Sequence, residues 1–217
     1  MNYLKKFKDI LVETLKENKK LIIIFAILFI VLFIATWIYS MGTISSKIET
    51  LTNVSQQGPV NEAMNPDTLS IFINNAYGGL LVYVTSIFFG IGGIISVIYN
   101  AINLGAIGAL FSVMIPDGGL RFILYLIPHG IFEITATILE PVSGILLFRF
   151  VWRFLKGIIR SDEKGFEKIS SSFKNNQRVL IQSLVLFIFT IILLLIAAPI
   201  ESYISVPFSE LILGKAN

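Results

Sequence analysis

Long uncharged apolar runs, separated by polar stretches, set the pattern of this chain. Residues 21–39 carry no charge, and a helix of that length covers about 30 Å, the thickness of the hydrocarbon core of a bilayer. Residues 69–115 also carry no charge, but that run is too long for one crossing and predicts two helices. The glycine-rich segment 89–93, FGIGG, predicts the turn between them.

The apolar runs predict an all-α fold, a polytopic membrane helix bundle with five transmembrane spans. We place the spans at about residues 21–39, 69–89, 92–115, 122–148 and 179–198. The remaining segments are predicted to lie outside the hydrocarbon. They are the N-terminal segment 1–20, an outer loop 40–68, a loop 149–178 and a C-terminal tail 199–217.

The basic residues orient this bundle. Segments 1–20 and 149–178 contain most of the 17 Lys and Arg residues, and four spans separate them, so they fall on the same side. The positive-inside rule then predicts a cytoplasmic N-terminus, a basic cytoplasmic loop at 149–178 and a C-terminus outside. In segment 1–20 apolar residues recur at helical spacing opposite lysines. This pattern predicts an amphipathic helix that lies on the membrane surface or docks a cytoplasmic partner.

The composition agrees with a membrane protein. The chain is 55% hydrophobic and 14% charged, with a mean hydropathy of +0.81, whereas a soluble domain contains about 25% charged residues. It has no cysteine, which excludes disulfides, thiolate metal sites and cysteine nucleophiles. No G-x-x-x-x-G-K-[ST] motif is present, so any energy for transport would come from a partner or a gradient.

One apolar stretch, LIPHGIFEITATILEP at 126–141, contains three ionisable groups. They are His129, Glu133 and Glu140, and their spacing places them within about 40° of one another on one helix face. We expect Pro128 to lie in the first turn of this helix and Pro141 to kink it. A carboxylate inside a membrane costs a few kcal/mol. The stripe therefore predicts a polar cleft that is entered from outside.

Asparagines in the uncharged spans are the expected partners of this stripe, because amides in hydrocarbon seek hydrogen bonds across helices. The candidates are Asn74, Asn75, Asn100 and Asn103. Nearby glycines allow close helix approach, and Gly105 and Gly108 with Asn100 also allow a broken helix around a cavity. The same cluster is equally compatible with an internal network that only holds the helices together.

Three segments together resemble the stage II sporulation protein M-like family of small integral membrane proteins. They are IFINN at 71–75, YNAINLG at 99–105 and IPHGIFE at 127–133, in that order. The positions that match the family pattern are Asn75, Asn100, His129 and Glu133. The resemblance implies a membrane scaffold or a transport-system component. Its sporulation member is the membrane partner of a cell-wall hydrolase during forespore engulfment, a role that transfers poorly to this chain.

We therefore favour a non-enzymatic protein of the cell membrane, a scaffold or transport-system component with a polar cleft. No catalytic residue, cofactor or nucleic-acid partner is predicted. The expected partners are membrane lipids, membrane or cell-envelope proteins, and a second copy of the chain, since dimerisation would enclose a path that five helices leave open.

Two alternatives remain open. The first is a metal-dependent or acid/base intramembrane hydrolase, in which His129, Glu133 and Glu140 are the metal candidates. The presence of one histidine and no cysteine argues against it, because catalytic zinc usually has at least two nitrogen or sulfur ligands. The second is a proton-coupled carrier of lipids or small molecules, in which Glu133 and Glu140 change protonation as the cleft opens.

Overall fold

The computed structural model of the protein describes residues 3–51 and 67–215, and these residues form helices without a strand. The helices are α1 (Tyr3–Glu17), α2 (Lys19–Leu51), α3 (Thr68–Thr85), α4 (Ile91–Met114), α5 (Gly118–Arg160), α6 (Phe166–Ile200) and α7 (Val206–Leu213). A π-helical turn, Glu201–Ser205, joins α6 to α7 without a break. The predicted all-α class is confirmed.

Four of these segments are long and apolar enough to cross a membrane. They are Lys19–Ser46, Ile91–Met114, Gly118–Arg160 and Phe166–Leu213. The predicted span at 69–89 corresponds to α3, which is not among them. Its 18 residues rise about 27 Å at 1.5 Å per residue, and two adjacent asparagines lower its hydropathy. The five-span count and the orientation therefore stay predictions.

The helices extend beyond the predicted spans. α2 continues from residue 39 to Leu51, α5 reaches Arg160, and α6 begins at Phe166. Each of the added segments contains Lys or Arg, which are good helix formers in water. Hydropathy identifies only the part of a helix that lies in lipid. The end of the helix is set by its capping residues, which can lie several turns beyond that part. Residues 52–66 of the predicted outer loop lie outside the described residues.

The predicted position of Pro128 is wrong. α5 begins at Gly118, so Pro128 lies well inside the helix instead of in its first turn, as does Pro141. Proline is tolerated inside membrane helices because neighbouring helices and side chains satisfy the freed carbonyl. A helix-start rule drawn from soluble proteins therefore misplaced the beginning of this helix.

The helices pack around a core formed mainly by α2, α4, α5 and α6. α4 lies between α2 and α5, α6 packs along α5, and α3 packs on α4, α5 and α6. The core side chains are Phe25, Phe29, Val97, Ala101, Ala136, Leu139, Val142, Leu146, Leu186, Leu193 and Leu194. The outward faces are also apolar: Ile24, Ile27 and Ile30 of α2 are at least half exposed. An apolar exterior of this extent is suited to contact with the lipid chains of a membrane.

Glycines allow α4 to approach α2 closely. A Cβ atom on Gly105 would lie 2.5 Å from the carbonyl oxygen of Phe33, and one on Gly108 would lie 2.7 Å from the ring of Trp37. α4 is continuous from Ile91 to Met114, so the broken helix that the sequence allowed does not form. These glycines support helix packing instead.

A tight turn joins α3 to α4, where the segment 89–93 predicted it. Phe89 and Gly90 both adopt positive φ, at 57° and 73°, a conformation that costs glycine little and phenylalanine more. A Cβ atom on Gly93 would lie 2.5 Å from Pro141. The turn is therefore held against α5, and α3 and α4 form a hairpin.

The two ends of the bundle differ in charge. At one end, the α1 end, Arg149 donates to Asn18 at 3.3 Å, and Glu17 accepts from Arg178 and Gln182 at 2.8 and 2.7 Å. This end brings α1 together with the basic segment 149–178. The opposite end, the α7 end, is where α5 begins, α6 ends and α7 packs on α5.

Candidate functional site

His129 of α5 lies at the α7 end, in contact with the π-helical turn. Its Nδ1 atom is 2.8 Å from Oγ of Ser205, and the residue is only 3% exposed. The ring also contacts Tyr125, one turn earlier, at a centroid distance of 5.2 Å. The wide π turn brings Ser205 onto the side of the helix that faces α5.

Two carboxylates complete a cluster with this histidine. Oε2 of Glu133 lies 3.8 Å from Nε2 of His129, and Glu201 comes from the π turn. One ligand atom from each of the three residues lies within 4.8 Å of the others. Each carboxylate has its own donor: Asn75 donates to Glu133 at 3.4 Å, and Tyr125 donates to Glu201 at 3.3 Å. We call His129, Glu133 and Glu201 the outer cluster.

A cleft of about 650 Å³ begins at Glu133 and runs toward the α3–α4 turn. Its walls are α3 and α4, and its floor is the stripe Glu133, Thr137 and Glu140 of α5. Polar groups on the walls include Asn74, Asn75, Thr85, Ser96 and Asn100. The rim also carries Phe88 and Tyr99, which are 70% and 66% exposed.

Glu140 lies at the floor of the cleft, two turns from Glu133. The residue is only 6% exposed, and its carboxyl group makes no hydrogen bond to the described part of the chain. Its place is created by Gly79 of α3, where a Cβ atom would lie 2.5 Å from Oε1 of Glu140. A carboxyl group at this depth is costly unless a hydrogen-bond partner reaches it, and the cleft gives such a partner access to Glu140.

The structure divides the predicted site residues between these two regions. The predicted stripe is present, because Glu133 and Glu140 share the cleft and His129 contacts Glu133. Among the asparagines, Asn75 bonds Glu133, whereas Asn100 bonds Ser96 of its own helix at 3.0 and 3.1 Å. The remaining two are Asn74, which lines the cleft, and Asn103, which does not.

Sequence reasoning missed Tyr125, Glu201 and Ser205. It also put Glu140 in the metal-candidate set, whereas the third group beside His129 and Glu133 is Glu201. The signal was present but weak: Glu201 and Ser205 are four residues apart and just beyond Pro199. The assignment of residues 199–217 to a tail hid this signal, because polar residues in a tail are expected to be solvated.

These features define a class: an all-helical membrane protein whose polar side chains gather in a cleft and in a cluster at one end. Comparison with known proteins gives the family. The stage II sporulation protein M family matches residues 21–206, and the chain belongs to it, as its Pro-His-Gly-x-x-Glu segment and asparagines indicated.

The relatives add little about activity. The chain is 33% identical to the uncharacterized protein MJ0793 of Methanocaldococcus jannaschii over 142 residues, which cover 63% of this chain and 69% of that protein. No solved structure matches the chain. The family and the apolar helices support a membrane protein of this type.

Proposed function

We propose that the chain is a non-enzymatic scaffold or transport-system component of the cell membrane, and that it assembles through its cleft. The family membership supports a membrane role. The proposal includes five spans, with the basic α1 end in the cytoplasm and the α7 end outside. In this arrangement α3 is the fifth span, because its hairpin partner α4 runs the length of the bundle beside it.

The observation that carries the proposal is the unpartnered carboxyl group of Glu140 in a cleft that opens between α3 and α4. In lipid, neither this group nor the exposed amide of Asn74 would find a hydrogen-bond partner, and the exposed amide of Asn100 is bonded only to Ser96 of its own helix. The outward faces of the helices between the two polar ends are mainly apolar, so the cleft resembles part of an interior that another molecule completes.

A second copy of the chain is the occupant that best fits the rim. A twofold contact places the same patch on both sides, so the patch must be complementary to itself. The amides of Asn74 and Asn100 each carry donors and an acceptor, and can therefore pair with their own copies. The exposed rings of Phe88 and Tyr99 supply the apolar contact around them.

Disulfide cross-linking tests this assembly directly, because the chain contains no cysteine. Ile95 and Tyr99 lie on the cleft wall and are 59% and 66% exposed. Each is replaced with cysteine in the full chain, and membranes are oxidised before non-reducing electrophoresis. We expect a covalent dimer from Ile95→Cys and Tyr99→Cys.

The matched control is Ile30→Cys, on the exposed face of α2, where Ile30 is 52% exposed. It should remain a monomer under the same oxidation. Equal cross-linking of all three variants would indicate random collision. The absence of cross-linking at the cleft would contradict the proposed dimer. Asn100→Leu added to Tyr99→Cys should weaken the cross-link if the amide pairs with its copy.

The carrier alternative is favoured by one observation, the size of the cleft. Its volume of about 650 Å³ falls within the range of roughly 300–1,000 Å³ typical of small-molecule sites. Native mass spectrometry of the gently extracted protein separates the two functions. A monomer with a stoichiometric small molecule, lost in Glu140→Gln, would favour the carrier over the self-assembling scaffold.

A further inference from the structure

The outer cluster brings together three side chains of the types that bind cations. His129, Glu133 and Glu201 each offer one ligand atom, and these atoms lie within 4.8 Å of one another. We propose that the outer cluster binds one divalent transition-metal ion of the class of Zn²⁺ or Mn²⁺. The proposal goes beyond the scaffold role and does not depend on it.

The hydrogen bonds of Ser205 decide which nitrogen of His129 is available. A serine hydroxyl has one proton, and we assign that of Ser205 to the carbonyl oxygen of Ile200, 3.3 Å from its Oγ. Ser205 therefore accepts from Nδ1 of His129, 2.8 Å away. In the neutral ring this assignment leaves the lone pair on Nε2, the atom that faces Glu133.

Two acceptors then face each other across the cluster. Nε2 of His129 and Oε2 of Glu133 are 3.8 Å apart, too far for a hydrogen bond. Metal–nitrogen and metal–oxygen bonds of about 2.0–2.2 Å place two ligand atoms of a tetrahedral zinc ion about 3.3–3.6 Å apart, so a small approach of the two side chains lets one ion contact both. Glu201 then supplies the third ligand from the π-helical turn.

The charges of the outer cluster also fit a divalent cation. Among the described residues, no Lys or Arg makes an ion pair with Glu133 or Glu201. Two ionised carboxylates in this half-buried place repel each other, and an ion of charge +2 with a neutral histidine makes the group neutral. Neutrality is the favourable state for charges removed from water.

Each ligand is held by an outer partner. Ser205 orients His129, Asn75 donates to Glu133, and Tyr125 donates to Glu201. Metal ligands in proteins commonly have such outer partners, which fix their orientation and raise affinity. The π-helical turn that supplies Glu201 and Ser205 is itself a rare element that often lies at functional sites.

The ligand types select the class of metal. One imidazole nitrogen with two carboxylates suits zinc, iron or manganese, whereas magnesium and calcium prefer oxygen ligands alone. Three protein ligands leave a coordination position open on a tetrahedral ion. Bound there, the ion ties α5 to the end of α6, so binding should stabilise the α7 end of the bundle.

The test is a metal titration of the full chain, purified in detergent, stripped with a chelator and followed by native mass spectrometry. We expect one Zn²⁺ or Mn²⁺ per chain, bound more tightly than Mg²⁺ or Ca²⁺, together with a rise in melting temperature. His129→Gln, Glu133→Gln and Glu201→Gln should each lose the bound ion. Ser205→Ala should keep the three ligands and bind about 10–100-fold more weakly.

Glu140→Gln is the matched control, because it changes a buried carboxyl group two turns from Glu133 and outside the outer cluster. It should bind the ion like the wild type. The proposal is overturned if the wild type binds no stoichiometric ion, if binding survives in all three ligand variants, or if Glu140→Gln loses it too. If the ligand variants fail to fold, Ser205→Ala decides: unchanged affinity overturns the proposal and weakened affinity supports it.

Discussion

Gly79 of α3 leaves the space that the carboxyl group of Glu140 of α5 occupies. A Cβ atom at Gly79 would lie 2.5 Å from Oε1 and 3.0 Å from Cδ of that side chain. The glycine thus permits a glutamate inside an apolar bundle, and the glutamate in turn faces the cleft. The two residues form one unit, although 61 positions of sequence, from 79 to 140, separate them.

This unit predicts a coupled effect of mutation. Gly79→Ala should push the Glu140 carboxyl group or α3 aside and lower the free energy of unfolding by about 1–3 kcal/mol, the usual cost of overpacking. In the Glu140→Ala background the added methyl group meets no carboxyl group, and the loss should shrink. Unfolding of both single variants and the double variant in mixed micelles measures the coupling.

The neighbouring glycine provides the control for this cycle. A Cβ atom at Gly78 would meet nothing within 4 Å, so Gly78→Ala should leave stability unchanged or raise it, because alanine is the better helix former. Equal losses for Gly78→Ala and Gly79→Ala, or losses at Gly79 that do not depend on Glu140, would contradict the close contact.

The contact of α4 with α2 predicts a loss of stability on substitution of Gly105. Its Cβ would lie 2.5 Å from the backbone oxygen of Phe33, and a backbone atom cannot rotate away as a side chain can. Gly105→Ala should therefore separate the two helices and cost about 1–3 kcal/mol of unfolding free energy. Gly42→Ala, on α2 with nothing within 4 Å, should instead gain up to about 1 kcal/mol. Thermal unfolding in detergent compares them.

Arg121 holds the C-terminal end of α7. Its guanidinium donates to the carbonyl oxygens of Gly214 at 2.7 Å and Leu213 at 3.2 Å, groups that a helix end leaves without an internal partner. Arg121→Ala should release this end, with a cost on the order of 1 kcal/mol. Hydrogen exchange of residues 206–213 should then become several-fold faster.

The control for Arg121→Ala is Arg153→Ala, which removes the same charge from the same helix at the opposite end. It should leave exchange of 206–213 as in the wild type. Slow exchange that persists in Arg121→Ala would mean that Ser209, which donates to the carbonyl oxygen of Arg121 at 3.4 Å, and the packing of α7 on α5 suffice to hold it.

Physical reasons explain which features the sequence could predict. Apolar runs located the four helices that are long and apolar enough to cross a membrane, because lipid demands such runs over a fixed length, and the glycine-rich segment 89–93 marked the α3–α4 turn. The helix positions of His129, Glu133 and Glu140 followed from periodicity within one helix. These features depend on local sequence alone.

The partners of that stripe depend on tertiary structure. Glu201 and Ser205 reach His129 only because α6 ends beside residues 125–133 of α5 and continues as a π turn, which no local pattern specified. The asparagines show the same limit. Asn75 reaches Glu133, whereas Asn100 is satisfied by Ser96 of its own helix, and helical spacing could not distinguish the two outcomes.

The proposed orientation in the membrane leads to the last prediction, which again uses the absence of cysteine. Lys215→Cys at the α7 end and Asp67→Cys before α3 should react with a membrane-impermeant maleimide on intact cells, whereas Glu163→Cys, between α5 and α6, should react only after lysis. The reason is charge: the α1 end contains most Lys and Arg, and the positive-inside rule predicts that segments rich in these residues stay in the cytoplasm. Asp67 and Lys215 must behave alike, because Thr68 donates to Ser202 at 2.9 Å and ties the start of α3 to the α7 end. If Glu163→Cys alone were labelled on intact cells, the orientation would be the reverse of the proposed one. Opposite behaviour of Asp67→Cys and Lys215→Cys would show that α3 does not cross beside α4.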